Sequence, residues 1–140
     1  MEIIELTAEN IEQYLDDCLA MQTHLIKPGE PINPAQFQKT AASTNTYFIG
    51  ILDTDRLVGL GLYNYIFHPV RTNAHIDNIV VHPDVRGRGL FSMIMTELER
   101  HAKAHGVDQV SLTCSRPEVQ KLYEKIDYVH KDTNFYYKNI

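Results

Sequence analysis

The residues best suited to chemistry lie between Ile76 and Ser92, where Ile76-Asp77-Asn78-Ile79-Val80-Val81 is followed by His82-Pro83-Asp84-Val85-Arg86-Gly87-Arg88-Gly89-Leu90-Phe91-Ser92. An apolar strand runs into a turn holding two glycines and two arginines, and the turn opens an amphipathic helix. The first amides of a helix have no intrahelical partner, and the aligned peptide dipoles leave partial positive charge there, so such a terminus suits a phosphate anion. Gly87 and Gly89 allow a sharp turn and close backbone approach with no Cβ in the way. Arg86 and Arg88 add charge-assisted hydrogen bonds. The pattern specifies a diphosphate cradle. A Walker A loop is excluded, because its Lys-Ser/Thr pair is missing. A dinucleotide fingerprint is excluded too: it needs a third glycine and an acidic residue about 20 positions on. Gly59 and Gly61 lie inside an apolar run and open no helix, which predicts close packing there.

The elements that must position this segment follow from hydrophobic period and turn chemistry. Residues 3–6 read as a strand ending at Thr7, which caps a helix over about 8–23 with Ile11, Leu15, Leu19 and either Cys18 or Gln22 on one face. Asn33 followed by Pro34 predicts an N-cap and first helical residue, opening a helix to about Ala42. Residues 47–52 and 57–67 form a hairpin across Asp53-Thr54-Asp55-Arg56, and residues 74–81 a further strand. A long helix spans about 89–105, with Phe91, Ile94, Met95, Leu98 and Ala102 in helical period and Gly106 as terminator. Residues 110–113 are a strand and 117–126 a helix. Residues 128–130 and 135–138 read as a final hairpin in which one of Tyr136 and Tyr137 faces the core. The order β-α-α-β-β-β-α-β-α-β-β predicts one α/β domain over residues 1–140, a mixed sheet with helices on both faces.

Composition fits that reading. A chain of 140 residues, 44% hydrophobic and 22% charged, can bury one sizeable core. Thirteen basic against eighteen acidic residues give a net charge of −5, and no Lys/Arg-dense run offers the positive footprint a nucleic acid requires. No apolar run approaches the roughly 20 residues that span a bilayer. The first residues lack the basic start and apolar stretch of a signal peptide, so the cytoplasm is the expected location. Cys18 and Cys114 are too few for a disulfide framework.

The segment resembles the GNAT superfamily of acyl-CoA-dependent N-acetyltransferases. That family's motif, Arg/Gln-x-x-Gly-x-Gly/Ala between its fourth strand and third helix, is matched by Arg86-Gly87-Arg88-Gly89-Leu90-Phe91 after a Val81-His82-Pro83 lead-in. Leu122-Tyr123-Glu124-Lys125 is similar to a stretch of the family's fourth helix, and the resemblance runs from about Leu57 to the C-terminus. The chain departs from the pattern at Phe91, where a small residue is usual, at Asp127-Tyr128 in place of Gly-Phe, and at Arg116 near a common Asn. The resemblance implies a mixed, mostly antiparallel sheet of about six to seven strands, splayed between the fourth and fifth. It implies acetyl-CoA as donor and no metal, with coenzyme A released. The backbone at Ile79, Val80 and Val81 would bind the pantetheine arm, and Arg86, Gly87, Arg88, Gly89, Leu90, Phe91 and Ser92 the diphosphate. Tyr123 would be the general acid, and Asp77, with His75 second, would relay the acceptor's proton. The expected partner is a small-molecule or peptide amine, without nucleic acid or membrane; a homodimer stays open. An acyl-CoA-binding regulatory module without chemistry is the alternative.

Weaker candidates have plainer readings. Glu97, His101 and His105 have metal-like spacing but fit a solvated helix face better. Cys114 lacks a His-Asp partnership and reads as a small packed residue. By periodicity alone Val119, Leu122, Tyr123 and Ile126 form an apolar stripe, so Tyr123 could equally be a core aromatic. The first two helices, the loop 24–34 and the last hairpin are expected to shape the acceptor site, with Asp16, Asp17 and Glu30 as acids nearby.

Overall fold

The structure, a computed structural model, describes residues 1–140. Its elements are β1 (Glu2–Glu5), α1 (Ile11–Gln22), α2 (Pro34–Ala42), β2 (Thr46–Asp53), β3 (Arg56–Phe67), β4 (Thr72–Val81), α3 (Leu90–Ala104), β5 (Gln109–Leu112) and α4 (Pro117–Glu124). Asn33 caps α2 as its sequence predicts: its side-chain oxygen accepts from the Ala35 amide at 3.0 Å, and Pro34 fills the first turn. Gly106 ends α3 with a φ of +74°.

The strands lie in the order β1-β2-β3-β4-β5, antiparallel except for the parallel pair β4–β5, which α3 connects as a crossover. Helices cover both faces. On one, Ile11, Cys18 and Phe37 from α1 and α2 pack over Phe48, Leu60 and Leu62. On the other, Ile94 and Leu98 of α3 pack over Ile49, Tyr63 and Ile76. No helix is long and apolar enough to cross a membrane.

Two expectations fail. The sheet has five strands rather than six or seven, because the hairpin expected over 128–138 does not form. Such a strand would carry aromatics on both faces, Phe135 and Tyr137 on one and Tyr136 on the other, and a lone hairpin has little stability in water. Both Tyr136 and Tyr137 are exposed. The first helix also begins three residues late. Asn10, not Thr7, is its N-cap residue, and its side chain ties the incoming strand instead, accepting from the Thr7 amide and donating to the Glu5 carbonyl.

Two backbone features prepare the site. Leu60 faces Val80 while Leu62 faces Asp77, so β4 places Asn78 and Ile79 opposite the single residue Gly61. Asn78 absorbs this bulge with a φ of +54°, a conformation Asn tolerates better than most residues. Gly61 in turn lets α3 approach: a Cβ there would stand 2.4 Å from Ile94 Cγ2 and 3.0 Å from Ile79 Cδ1. Ile94 is β-branched, fully buried and slow to yield. Gly61→Ala should therefore cost about 1–3 kcal/mol, the usual range for overpacking, read as a lowered urea midpoint with unchanged slope.

Candidate active site

Pairing between β4 and β5 ends at Ile76 and Leu112, where β5 stops. β4 continues for residues 77–81 with β3 on one side and no strand on the other. This is the splay expected of the fold, and it leaves a stretch of main chain at Ile79, Val80 and Val81 facing a gap. Val80 packs toward α1 and α2, whereas Ile79 and Val81 pack toward α3. The Val81 carbonyl accepts from Arg86 Nε at 3.1 Å, which pins the glycine turn to the end of the strand.

The turn is open. Gly87 and Gly89 have φ values of +77° and +82°, and a Cβ on either would meet nothing within 4 Å. Gly89 is the N-cap of α3 and offers no side-chain cap, so the amides of Gly87, Arg88, Gly89, Leu90, Phe91 and Ser92 donate to no protein acceptor. Neither Arg86 nor Arg88 pairs with a carboxylate. Phe91 does not plug the turn. It is half-buried, and its ring meets Tyr123 edge-on at 5.5 Å. A diphosphate fits here: unpaired donors, guanidinium groups without a carboxylate partner and space where side chains would otherwise stand.

Tyr123 lies on α4, in a groove of about 1130 Å³ bounded by β5, α4 and the C-terminal residues. Burial, with a smaller contribution from Cys114, pushes its pKa up to about 12. The hydroxyls of Tyr47, Tyr63 and Tyr128 are bonded to Glu97, Tyr65 and Glu99 respectively. The Tyr123 hydroxyl makes no hydrogen bond within the protein, although its ring packs between Phe91 and Tyr128. At the start of α4, Arg116 Nη2 donates to the Leu25 carbonyl at 3.3 Å, joining the end of β5 to the loop after α1.

Asp77 stands on the α1/α2 side of the sheet, in the cross-strand row Phe48–Leu62–Asp77. Its surface is open to solvent, yet the protein around it raises the carboxyl pKa by burial, and His75 partly reverses this. His75 Nδ1 lies 3.0 Å from Ser111 Oγ, and Ser111 Oγ accepts from Asn73 Nδ2 at 2.9 Å. Beside this row a pocket of about 200 Å³ is lined by α1, α2, the loop between them and Asn78.

The structure thus sets the glycine turn at the end of the open β4 edge, places Asp77 at the first residue of that edge, and packs Phe91 of α3 against Tyr123. It does not bring the remaining candidates there. Glu97 is held by Tyr47 and bidentately by Arg100, with its pKa lowered chiefly by the Arg100 hydrogen bonds. His101 bonds to Tyr63 and stacks on Tyr47 at 3.4 Å, with His105 stacked on it in turn. The helix face expected to be solvated is therefore a packed aromatic network, and Glu97, His101 and His105 each have separate partners. Cys114 Sγ donates to the Arg116 carbonyl at 3.6 Å. Asp17 accepts from the Leu57 amide, tying α1 to β3, and Glu30 accepts from the Lys27 amide within its own loop. Sequence reasoning missed Gln22 as a pocket residue and the Arg116 clasp. Only the helical face shared by Ile11, Leu15 and Gln22 hinted at the former.

The chain is similar to several known acetyltransferases. The chain is 34% identical over 58 residues to glucosamine 6-phosphate N-acetyltransferase 1 of Oryza sativa subsp. japonica, a match covering 41% of this chain and 34% of that protein. It superposes on a ribosomal-protein-alanine N-acetyltransferase from Brucella melitensis biovar Abortus 2308 with a TM-score of 0.80 at 21% identity, covering 100% of both chains. A TM-score of 0.83 at 14% identity relates it to an aminoglycoside acetyltransferase from an uncultured soil metagenomic sample, solved with sisomicin, over 99% of this chain and 96% of that one. The two structural likenesses show a shared fold. Residues 9–128 match the acetyltransferase (GNAT) family model, and with most of its length so matched the chain belongs to that family.

Proposed function

We propose that residues 1–140 act as one domain that transfers an acetyl group from acetyl-CoA to a primary amine by direct attack, with Tyr123 as general acid and Asp77 receiving the amine's proton. The observation that carries this reading is the meeting of two unpaired backbone surfaces, the amides of residues 87–92 and the β4 edge at residues 77–81. Acetyl-CoA supplies the acetyl group as an activated thioester. Arg86, Arg88 and the amides of Gly87, Gly89, Leu90, Phe91 and Ser92 would hold its diphosphate. The main chain of Ile79, Val80 and Val81 would align the pantetheine arm, and an N–H near Val81 would polarise the thioester carbonyl. No step requires a metal. The rice relative is named for an amino-sugar phosphate and the metagenomic neighbour for aminoglycosides, and both names fit an amine acceptor.

Thermal unfolding with acetyl-CoA tests the cradle. Ligand at about 100 times its Kd should add roughly 2.7 kcal/mol of stability. Gly89→Ala should fold at a cost of about 1–2 kcal/mol, since a non-glycine residue is strained at that φ. It should also lose most of the acetyl-CoA shift, because its Cβ stands where the anion would sit. An equal shift in wild type and variant would displace the diphosphate from this turn. Thiol release across a panel of amines tests the transfer itself; acetyl-CoA binding with no turnover would make the chain a regulatory acyl-CoA-binding module.

A further inference from the structure

The geometry points to a twofold dimer in which residues 136–140 of each copy lie as an added strand along β5 of the other. β5 pairs with β4 alone, so its second edge meets no strand. Such an edge presents a row of unpaired N–H and C=O groups and is a template for another strand. The groove of about 1130 Å³ runs along it: every residue from Gln109 to Cys114 lines that groove, so both faces of the strand reach it, as an edge presents. Val110 and Leu112 pack on the core from one face of β5, yet both are only half-buried. Tyr123 lines the same groove.

The chain itself displays the occupant. Residues 129–140 make no backbone–backbone hydrogen bond, and Phe135, Tyr136 and Tyr137 are 76%, 84% and 80% exposed. Phe135 and Tyr137 stack at 6.5 Å, two positions apart, which is the spacing of one strand face. The segment leaves its own groove at Phe135: residues 128–131, Thr133 and Phe135 line it, and residues 136–140 do not. A twofold axis near Phe135 lets each departing segment enter the other copy's groove, so the exchange closes on itself. Charge agrees. Glu99, Glu124 and Asp127 line the groove against one lysine, Lys131, while residues 136–140 bring Lys138 and no acidic side chain. A buried aromatic ring covers about 150–250 Å², so the rings of two exchanged segments and the surface beneath them amount to roughly 1,500 Å², the size of a stable interface.

Sedimentation of the intact protein at micromolar concentration should give the mass of two chains. Tyr136→Asp combined with Tyr137→Asp should weaken the dimer at least about 100-fold, as losing buried aromatic anchors does. The separated monomer should stay folded by circular dichroism, because both side chains are exposed within one copy. A single cysteine then traces the path of the segment. Cys114 is a free thiol lining the groove, whereas Cys18 is buried elsewhere in the core. Asn139→Cys, oxidised by air with a copper–phenanthroline catalyst, should give a disulfide-linked dimer that disappears when Cys114→Ser is added. A monomeric wild type overturns the inference and leaves the β5 edge to some other strand. So does a link formed within one chain, which would mean that the segment folds back on its own β5. A dimer indifferent to the tyrosine substitutions, or a link that survives Cys114→Ser, places the contact on another surface and overturns it equally.

Discussion

Tyr123→Phe should lower kcat by about 10²- to 10⁴-fold, the range that positioned general acids contribute, and leave acetyl-CoA binding nearly unchanged. The substitution removes only the hydroxyl. The packing of the ring between Phe91 and Tyr128 survives, and no hydrogen bond inside the protein is lost. Thermal stability should therefore move little while turnover collapses, a combination a purely packed tyrosine would not produce. The raised pKa fixes the sign of the pH dependence. A general acid must hold its proton, and with a pKa of about 12 Tyr123 keeps it across the whole assay range. The wild-type rate should accordingly show no descending alkaline limb up to about pH 10, an ordinary phenol's pKa. A phenol this weak is a poor donor to a thiolate of pKa about 8.5 in water. Within the gap, burial penalises the thiolate as it does the phenolate and raises both values, which restores the match. Near-normal kcat in Tyr123→Phe would remove the residue from the mechanism.

What could be read from the sequence was local. The strand, the glycine turn and the helix start are contiguous, and each follows from residue type: Gly87 and Gly89 do adopt positive φ, and residues 87–92 do leave their amides unpaired. What escaped involves partners far apart in the chain. Tyr47 reaches Glu97 across 50 positions and Tyr63 reaches His101 across 38, so a helix face that looks polar by periodicity is roofed by aromatics from β2 and β3. Arg116 meets Leu25 across 91 positions, and no local signal announces such a contact. The bulge left a faint trace, because Asp77-Asn78 is an unusual pair inside an apolar strand and Asn visits positive φ more readily than its neighbours. Thr7 and Asn10 both have cap-type side chains, and the local ties of Asn10 to Glu5 and Thr7 hold the chain in a turn up to Asn10, so α1 starts at Ile11. The last hairpin failed for a different reason. Its aromatic residues would fall on both faces of a strand, Phe135 and Tyr137 on one and Tyr136 on the other, and all three stay exposed.

Asp77→Asn should reduce kcat/KM by about 10²- to 10⁴-fold near neutral pH, where a lysine-like acceptor with pKa about 10.4 arrives protonated. The carboxylate must be ionised to take that proton, so activity through Asp77 is lost as pH falls through its pKa. Burial raises that pKa, and the acid limb of wild type should lie above the range of an ordinary aspartate. Removing His75, whose charge lowers the Asp77 pKa, should move the limb further toward neutrality; His75→Ala therefore shifts the profile upward in pH. The defect of Asp77→Asn should also shrink as pH approaches the acceptor's own pKa, because the amine then arrives neutral and needs less help. That convergence separates a proton relay from a residue that merely shapes the bulge, whose loss would depress the rate equally at every pH. A full rate in Asp77→Asn with a collapsed rate in His75→Ala would move the role one pleat along β4, to the imidazole held by Ser111.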